Sequence, residues 1–168
     1  MVNNYFRSIS YALSKIDKDS IVKAARAIKD CEGRVFIFGN GGSAATASHF
    51  AQDLSKMCGI NTTCLNDSVS SILAYGNDNG FDNVFKKQLE NILTQKDIVI
   101  GISGSGNSQN VIQAIRYADF NGAYTIGIVG YDGGELKTRA DASIHVEFDD
   151  MQICEDIHLI ITHLICKL

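Results

Sequence analysis

The 168-residue sequence contains no proline, an absence to which no functional reading attaches. It has no basic surplus either. Its 15 lysines and arginines face 19 acidic residues, for a formal charge of −4, which argues against direct binding to nucleic acid. No apolar run is long enough to cross a bilayer: the longest, near VFIF, DIVIGI and HLIITHLI, fall short of the roughly 20 residues required, so no membrane partner is expected. The start, MVNNYFRSISYALSKIDKDS, mixes charges of both signs without a continuous apolar core, and so reads as neither a signal peptide nor a transit sequence. Five cysteines (Cys31, Cys58, Cys64, Cys154 and Cys166) form an odd set without CxxC spacing or the density of a disulfide scaffold. They read as reduced thiols in a cytoplasm.

What remains is an ordinary globular composition, 45% hydrophobic, in a chain of a length that suits one domain with a single core. The expected organisation is a helical region over 1–30, an α/β core over 31–150 and a terminal helix over 151–168. Short, almost wholly apolar runs occur at Val35 to Gly39, Thr62 to Leu65, Asp97 to Ser103, Tyr124 to Gly130 and Ser143 to Phe148. Strands buried on both faces have this appearance. Amphipathic stretches lie between them: Ser43 to Met57, Asp82 to Leu93, Ser108 to Asn121 and a short Gly134 to Thr138. The alternation predicts a three-layer α/β/α sandwich around a parallel sheet, with ligands at the carboxyl ends of the strands. Outside that rhythm, a long helical pattern spans residues 4 to 30. Residues 153 to 168 form a helix apolar on more than one face, for which the expected cover is another subunit.

Two strand-to-helix turns are rich in glycine and serine: GNGGSAATAS after VFIF, and SGSGNSQN after DIVIGI. Glycine lets the backbone bend sharply and approach a ligand, while the helix that follows offers unpaired N–H groups and the positive end of its dipole. Ser103, Ser105 and Ser108 therefore read as a phosphate cradle. A single such loop is more simply a capped turn, but two of them on core strands favour a ligand. Neither is a P-loop, since no lysine follows in GxxxxGK spacing. Gly39, Gly41 and Ala44 meet the dinucleotide pattern only in its relaxed form, and no acidic residue ends the next strand.

The segments GNGGSAATASHFAQDL, GNDNGFDNVF, GISGSGNSQNVIQAI, GYDGGEL and EDIHLIITHLI, in that order over almost the whole chain, resemble the sugar isomerase (SIS) domain family and within it the sedoheptulose-7-phosphate isomerases. The resemblance implies a flavodoxin-like sandwich, a homotetramer and sugar-phosphate sites at subunit interfaces. It implies an aldose-ketose isomerase feeding nucleotide-activated heptose for a surface polysaccharide. It further implies that Asn40, Gly41, Gly42 and Ser43 touch the sugar, that Ser103, Gly104, Ser105 and Ser108 hold its phosphate, and that Asp78 meets sugar hydroxyls. Gly104 stands where the family usually has threonine. The family also includes sugar-phosphate sensors and scaffolds that bind the replication initiator; the latter typically lack the terminal histidine, which is present here as His163.

Isomerisation through an enediol needs one group to carry a proton between carbons and another to move protons among oxygens, tasks that suit a carboxylate and a histidine. His49 and Asp53, spaced i, i+4, share one helical face beyond the glycine loop. On a helix, at about 100° per residue, Glu155 lies roughly 80° from His163 while His158 lies roughly 140° away and points elsewhere. His158 therefore reads as a core histidine. Asp132 reads as turn chemistry in an Asp-Gly-Gly bend. By resemblance Asp53 and His163 are the catalytic pair, Glu155 contacts substrate, and zinc ligands fall at His49, Asp53, Glu155 and His163. Two histidines and two carboxylates are a sound zinc set. Asp53 replaces the family's glutamate, Glu155 its glutamine, and Met57 falls near its arginine, which leaves open whether Lys56 substitutes.

Overall fold

A computed structural model describes residues 2–168. Five parallel strands form one sheet in the order β2-β1-β3-β4-β5: β1 (Val35–Gly39), β2 (Thr62–Cys64), β3 (Ile98–Ser103), β4 (Tyr124–Val129) and β5 (Ala142–His145). The side chains alternate between two cores. Ile37, Ile98, Ile100, Ile102, Ile126 and Ile128 face one layer of helices, while Phe36, Phe38 and Val99 face the other. Helices α1 (Val2–Lys15), α2 (Lys18–Lys29), α3 (Gly42–Cys58) and α8 (Met151–Ile165) contribute to the isoleucine side. Helices α5 (Val84–Leu89), α6 (Gln109–Phe120) and α7 (Gly134–Arg139) contribute to the phenylalanine side, where the Phe38 and Phe85 rings stack 4.8 Å apart. Each fully buried phenylalanine or isoleucine contributes about 1.5–3 kcal/mol. The two faces together hold the expected three-layer sandwich.

Five expectations change. The helical pattern over 4 to 30 is broken in two because Asp17 leaves helical geometry and its carboxylate accepts the Asp19 N–H at 3.0 Å, starting α2 as an N-cap. The stretch from Asp82 to Leu93 shrinks to a 3-10 turn (Phe81–Asn83) and α5. An extra helix, α4 (Val69–Asn79), precedes it and has no buried residue. The terminal helix is also covered largely by its own chain: Ile153, Cys154, Ile157, Ile161 and Ile165 join the isoleucine core, leaving Ile160 and Leu164 exposed. The last strand is shorter than expected and ends at His145, after which the chain turns toward α8.

The strand order places β1 between β2 and β3, so the chain leaves β1 on one side of the sheet and returns on the other. The crevice at such a switch point lies between the loops after β1 and β3. These are the two glycine-serine loops.

Candidate functional site

Gly39 ends β1 against β3, where a Cβ would press on the Ile102 carbonyl and Ser43. The chain then turns through Asn40 and Gly41, which has φ +54°, into α3. Side chains pin this turn from two sides. Asn66 brackets the Gly39 peptide, accepting its N–H at 3.1 Å and donating to its carbonyl at 2.9 Å. Asn110 exchanges two amide hydrogen bonds with Asn40, at 2.8 and 2.9 Å.

The loop after β3 is tied inward. The Gly106 N–H donates to Ser103 Oγ at 3.1 Å, and the Ser103 and Ser108 hydroxyls lie 3.1 Å apart. The Asn107 N–H donates to Ser105 Oγ at 3.2 Å. The GYDGGEL turn braces this loop from behind, with Gly130 N–H donating to Gly104 O and Leu136 N–H to Gly106 O, both at 2.9 Å. Asp132 serves that turn, as expected, by accepting the Gly134 N–H at 3.1 Å.

Between the loops lies a cavity of about 250 Å³. Asn40, Gly41 and Ser43 line one wall, and Ser103, Gly104, Ser105 and Ser108 the other. Met151 and Glu155 close it from α8. No lysine or arginine lines it, so an anion there would be held by hydroxyls, backbone N–H groups and the start of α6. Gly42 abuts this cavity: a Cβ on it would occupy the space of the Glu155 carboxylate. At Gly104, a Cβ would meet the Met151 thioether, so Met151 fills the room a side chain at 104 would need. A larger cavity of about 680 Å³ opens beyond Ser105 and Met151, but Asp132, Glu147 and Asp149 give it a negative wall that disfavours phosphate.

Farther along the same two helices, His49 and Asp53 of α3 meet His163 of α8. His49 Nε2 lies 3.2 Å from Asp53 Oδ2 and 3.2 Å from His163 Nε2, and His163 Nε2 lies 3.7 Å from the same Asp53 oxygen. The carboxylate is nearly buried and the two imidazoles about half exposed. The three donor atoms all lie within 4.8 Å of one another, forming a possible metal-binding triad. The donor set of two imidazoles and one carboxylate fits a divalent ion such as zinc with a position left open. Glu155 is not part of this cluster; it faces the cavity, about two helical turns from His163.

Asp78 lies on exposed α4, where its carboxylate accepts the Asn77 side-chain N–H at 2.8 Å, and it does not line the cavity. His158 is fully buried, in keeping with its reading as a core histidine, and its ring nitrogens have no hydrogen-bond partner among the described residues. Burial pushes its pKa down to about 4, with the neighbouring His145 acting in the same direction. The Val129 backbone, outside hydrogen-bonding geometry, opposes the shift. Sequence reasoning missed Asn66, Asn110 and Met151, whose roles arise from contacts between distant segments.

The SIS domain matches residues 4–130. The chain is 37% identical over 140 residues to the phosphoheptose isomerase of Helicobacter pylori (strain HPAG1), covering 80% of this chain and 73% of the relative. It is 33% identical over 178 residues to that of Syntrophotalea carbinolica, covering 99% and 91%. Among solved structures, phosphoheptose isomerase GmhA from Neisseria gonorrhoeae superposes with a TM-score of 0.93 at 33% identity, covering 99% of this chain and 92% of that one.

Proposed function

The chain belongs to the SIS-domain family and groups with its phosphoheptose isomerases, and on that premise we propose that it interconverts sedoheptulose 7-phosphate and D-glycero-D-manno-heptose 7-phosphate through an enediol. The observation that carries this reading is the convergence of Asp53, His49 and His163 on the two helices that also wall a hydroxyl-rich cavity lined by neither lysine nor arginine.

Ser103, Ser105 and Ser108, with the backbone at Gly104, hold the phosphate, while Asn40, Gly41, Gly42 and Ser43 set the sugar against them. Asp53 presents Oδ2 to both imidazoles, which leaves Oδ1 to take the proton from one carbon and return it to the next. The missing methylene relative to glutamate does not keep this carboxylate from its partners, which it already reaches at 3.2 and 3.7 Å. His163 moves the proton between the two oxygens, and Glu155 accepts hydrogen bonds from sugar hydroxyls. His49, Asp53 and His163 would hold a divalent ion such as zinc, which when bound would polarise the substrate's carbonyl oxygen.

The same reading includes a cytoplasmic homotetramer serving nucleotide-heptose synthesis. Its support is the apolar surface left exposed by Phe6 and Tyr11 of α1, Leu73 of α4 and Ile160 and Leu164 of α8, together with five free thiols. In that assembly Asp78, away from the cavity of its own chain, reaches the sugar of a neighbouring subunit. Metal analysis and a coupled assay over a panel of phosphorylated ketoses test the whole. Bound zinc with selective turnover of the seven-carbon ketose is expected. Folded, zinc-supplied protein that converts no phosphorylated ketose overturns it.

A further inference from the structure

We propose that Asn110 is a positioning residue that fixes the Asn40 amide and thereby couples the glycine loop to the serine loop across the switch point of the sheet. The inference rests on the isomerase reading for its substrate. Asn110 sits in the first turn of α6, two residues beyond Ser108, and is 2% exposed. Its Oδ1 accepts the Val111 backbone N–H at 2.9 Å, which identifies the oxygen end of this amide, because a backbone N–H needs an acceptor. The orientation of Asn110 then dictates that of Asn40. Asn40 Nδ2 must donate to Asn110 Oδ1, and Asn40 Oδ1 must accept from Asn110 Nδ2.

Asn40 lines the cavity, and its amide keeps one N–H and one lone pair beyond the two bonds to Asn110. Its backbone neighbour, Gly39, is fixed independently by Asn66. With the peptide held from one side and the side chain from the other, Asn40 has one orientation to offer a sugar hydroxyl. An asparagine serving α6 alone would need only the Val111 bond. The Asn110 Nδ2 group instead reaches a residue 70 positions away, on the opposite wall of the cavity.

The test is a double-mutant cycle in steady-state kinetics on the zinc-loaded enzyme. Asn110→Ala should raise KM for the phosphorylated heptulose about tenfold, the usual consequence of leaving a buried hydrogen-bonding partner unpaired, with kcat changed less. In an Asn40→Ala background the same substitution should leave KM unchanged. Competitive inhibition by inorganic phosphate, which reads the serine loop alone, should be the same in wild type and Asn110→Ala. Additive effects on KM, or a parallel loss of phosphate inhibition, overturn the proposal by showing that Asn110 supports the loops without acting through Asn40. If Asn110→Ala does not fold, Asn110→Asp keeps an acceptor for Val111 and removes the donor to Asn40 Oδ1, and the same cycle is read with it. If wild type binds sedoheptulose 7-phosphate without turnover, the isomerase reading fails alone, and the cycle is read from calorimetric affinities. Additivity there overturns the positioning role.

Discussion

His158 makes the stability of the fold depend on pH in a way that one substitution should abolish. The imidazole is fully buried and its nitrogens are unpartnered among the described residues, so protonation inside the fold is costly and the pKa falls from 6.5 to about 4. Unfolded, the same ring titrates near its ordinary value. Between those two values the unfolded chain binds more protons than the native one, so stability is complete above pH 6.5, falls as the pH drops toward 4 and then levels off. At about 1.4 kcal/mol per unit, the loss is about 3 kcal/mol. Replacing the ring by an apolar side chain, His158→Leu, removes this contribution. It also removes an unsatisfied polar group, which should stabilise the protein by about 1–3 kcal/mol at neutral pH. The assay is urea unfolding by far-ultraviolet circular dichroism at fixed protein concentration over this pH range, for wild type and His158→Leu. Carboxylates common to both proteins cancel in the difference. The stability advantage of the variant should widen by about 3 kcal/mol from neutral to acid pH. A difference that stays flat across the range would refute the burial argument.

Gly106→Ala should lower stability by at least about 1 kcal/mol and raise KM. Gly106 has φ +66°, and its Cβ would lie against the Gly133 carbonyl and the Gly134 nitrogen, backbone atoms that cannot swing away. Gly41→Ala, at φ +54° but facing open space, should cost only the backbone strain, and thermal melting separates the two. Asp53→Asn should reduce kcat at least about a hundredfold while leaving inhibition by inorganic phosphate intact. Substantial residual kcat in the coupled assay would place the carbon-directed base elsewhere.

The sheet was legible because its strands are buried on both faces, which forces apolar runs such as Val35 to Phe38 and Ile98 to Ile102. Helix α4 was not, since a helix with no buried residue imposes no periodicity on its sequence. The break at Asp17 was readable in principle from a capping residue followed by an acidic first turn, but the amphipathic pattern on either side hid it. At the site, the glycine-serine composition of the two loops and the contact of His49 with Asp53 follow from local sequence. The approach of His163 to them does not, because 114 residues separate it from His49. Glu155 shows the limit of angular reasoning: its angle allows it to converge with His163, yet its side chain points to Gly42 and the cavity. Asn66 and Asn110 carried no local signal, since each acts on a loop that only the strand order brings near.

Helix α8 follows all five strands in the sequence, and it supplies His163, Glu155 and Met151. During synthesis, both loops and all five strands are made before any of these side chains exists. A chain stopped after β5 would keep the serine loop while lacking Ile153, Ile157 and Ile161, which complete the isoleucine core. Such a fragment has the serine loop without His163 or Glu155, and a bare apolar face on which to aggregate. Completion of the proposed site and closure of the isoleucine core therefore depend on the same helix.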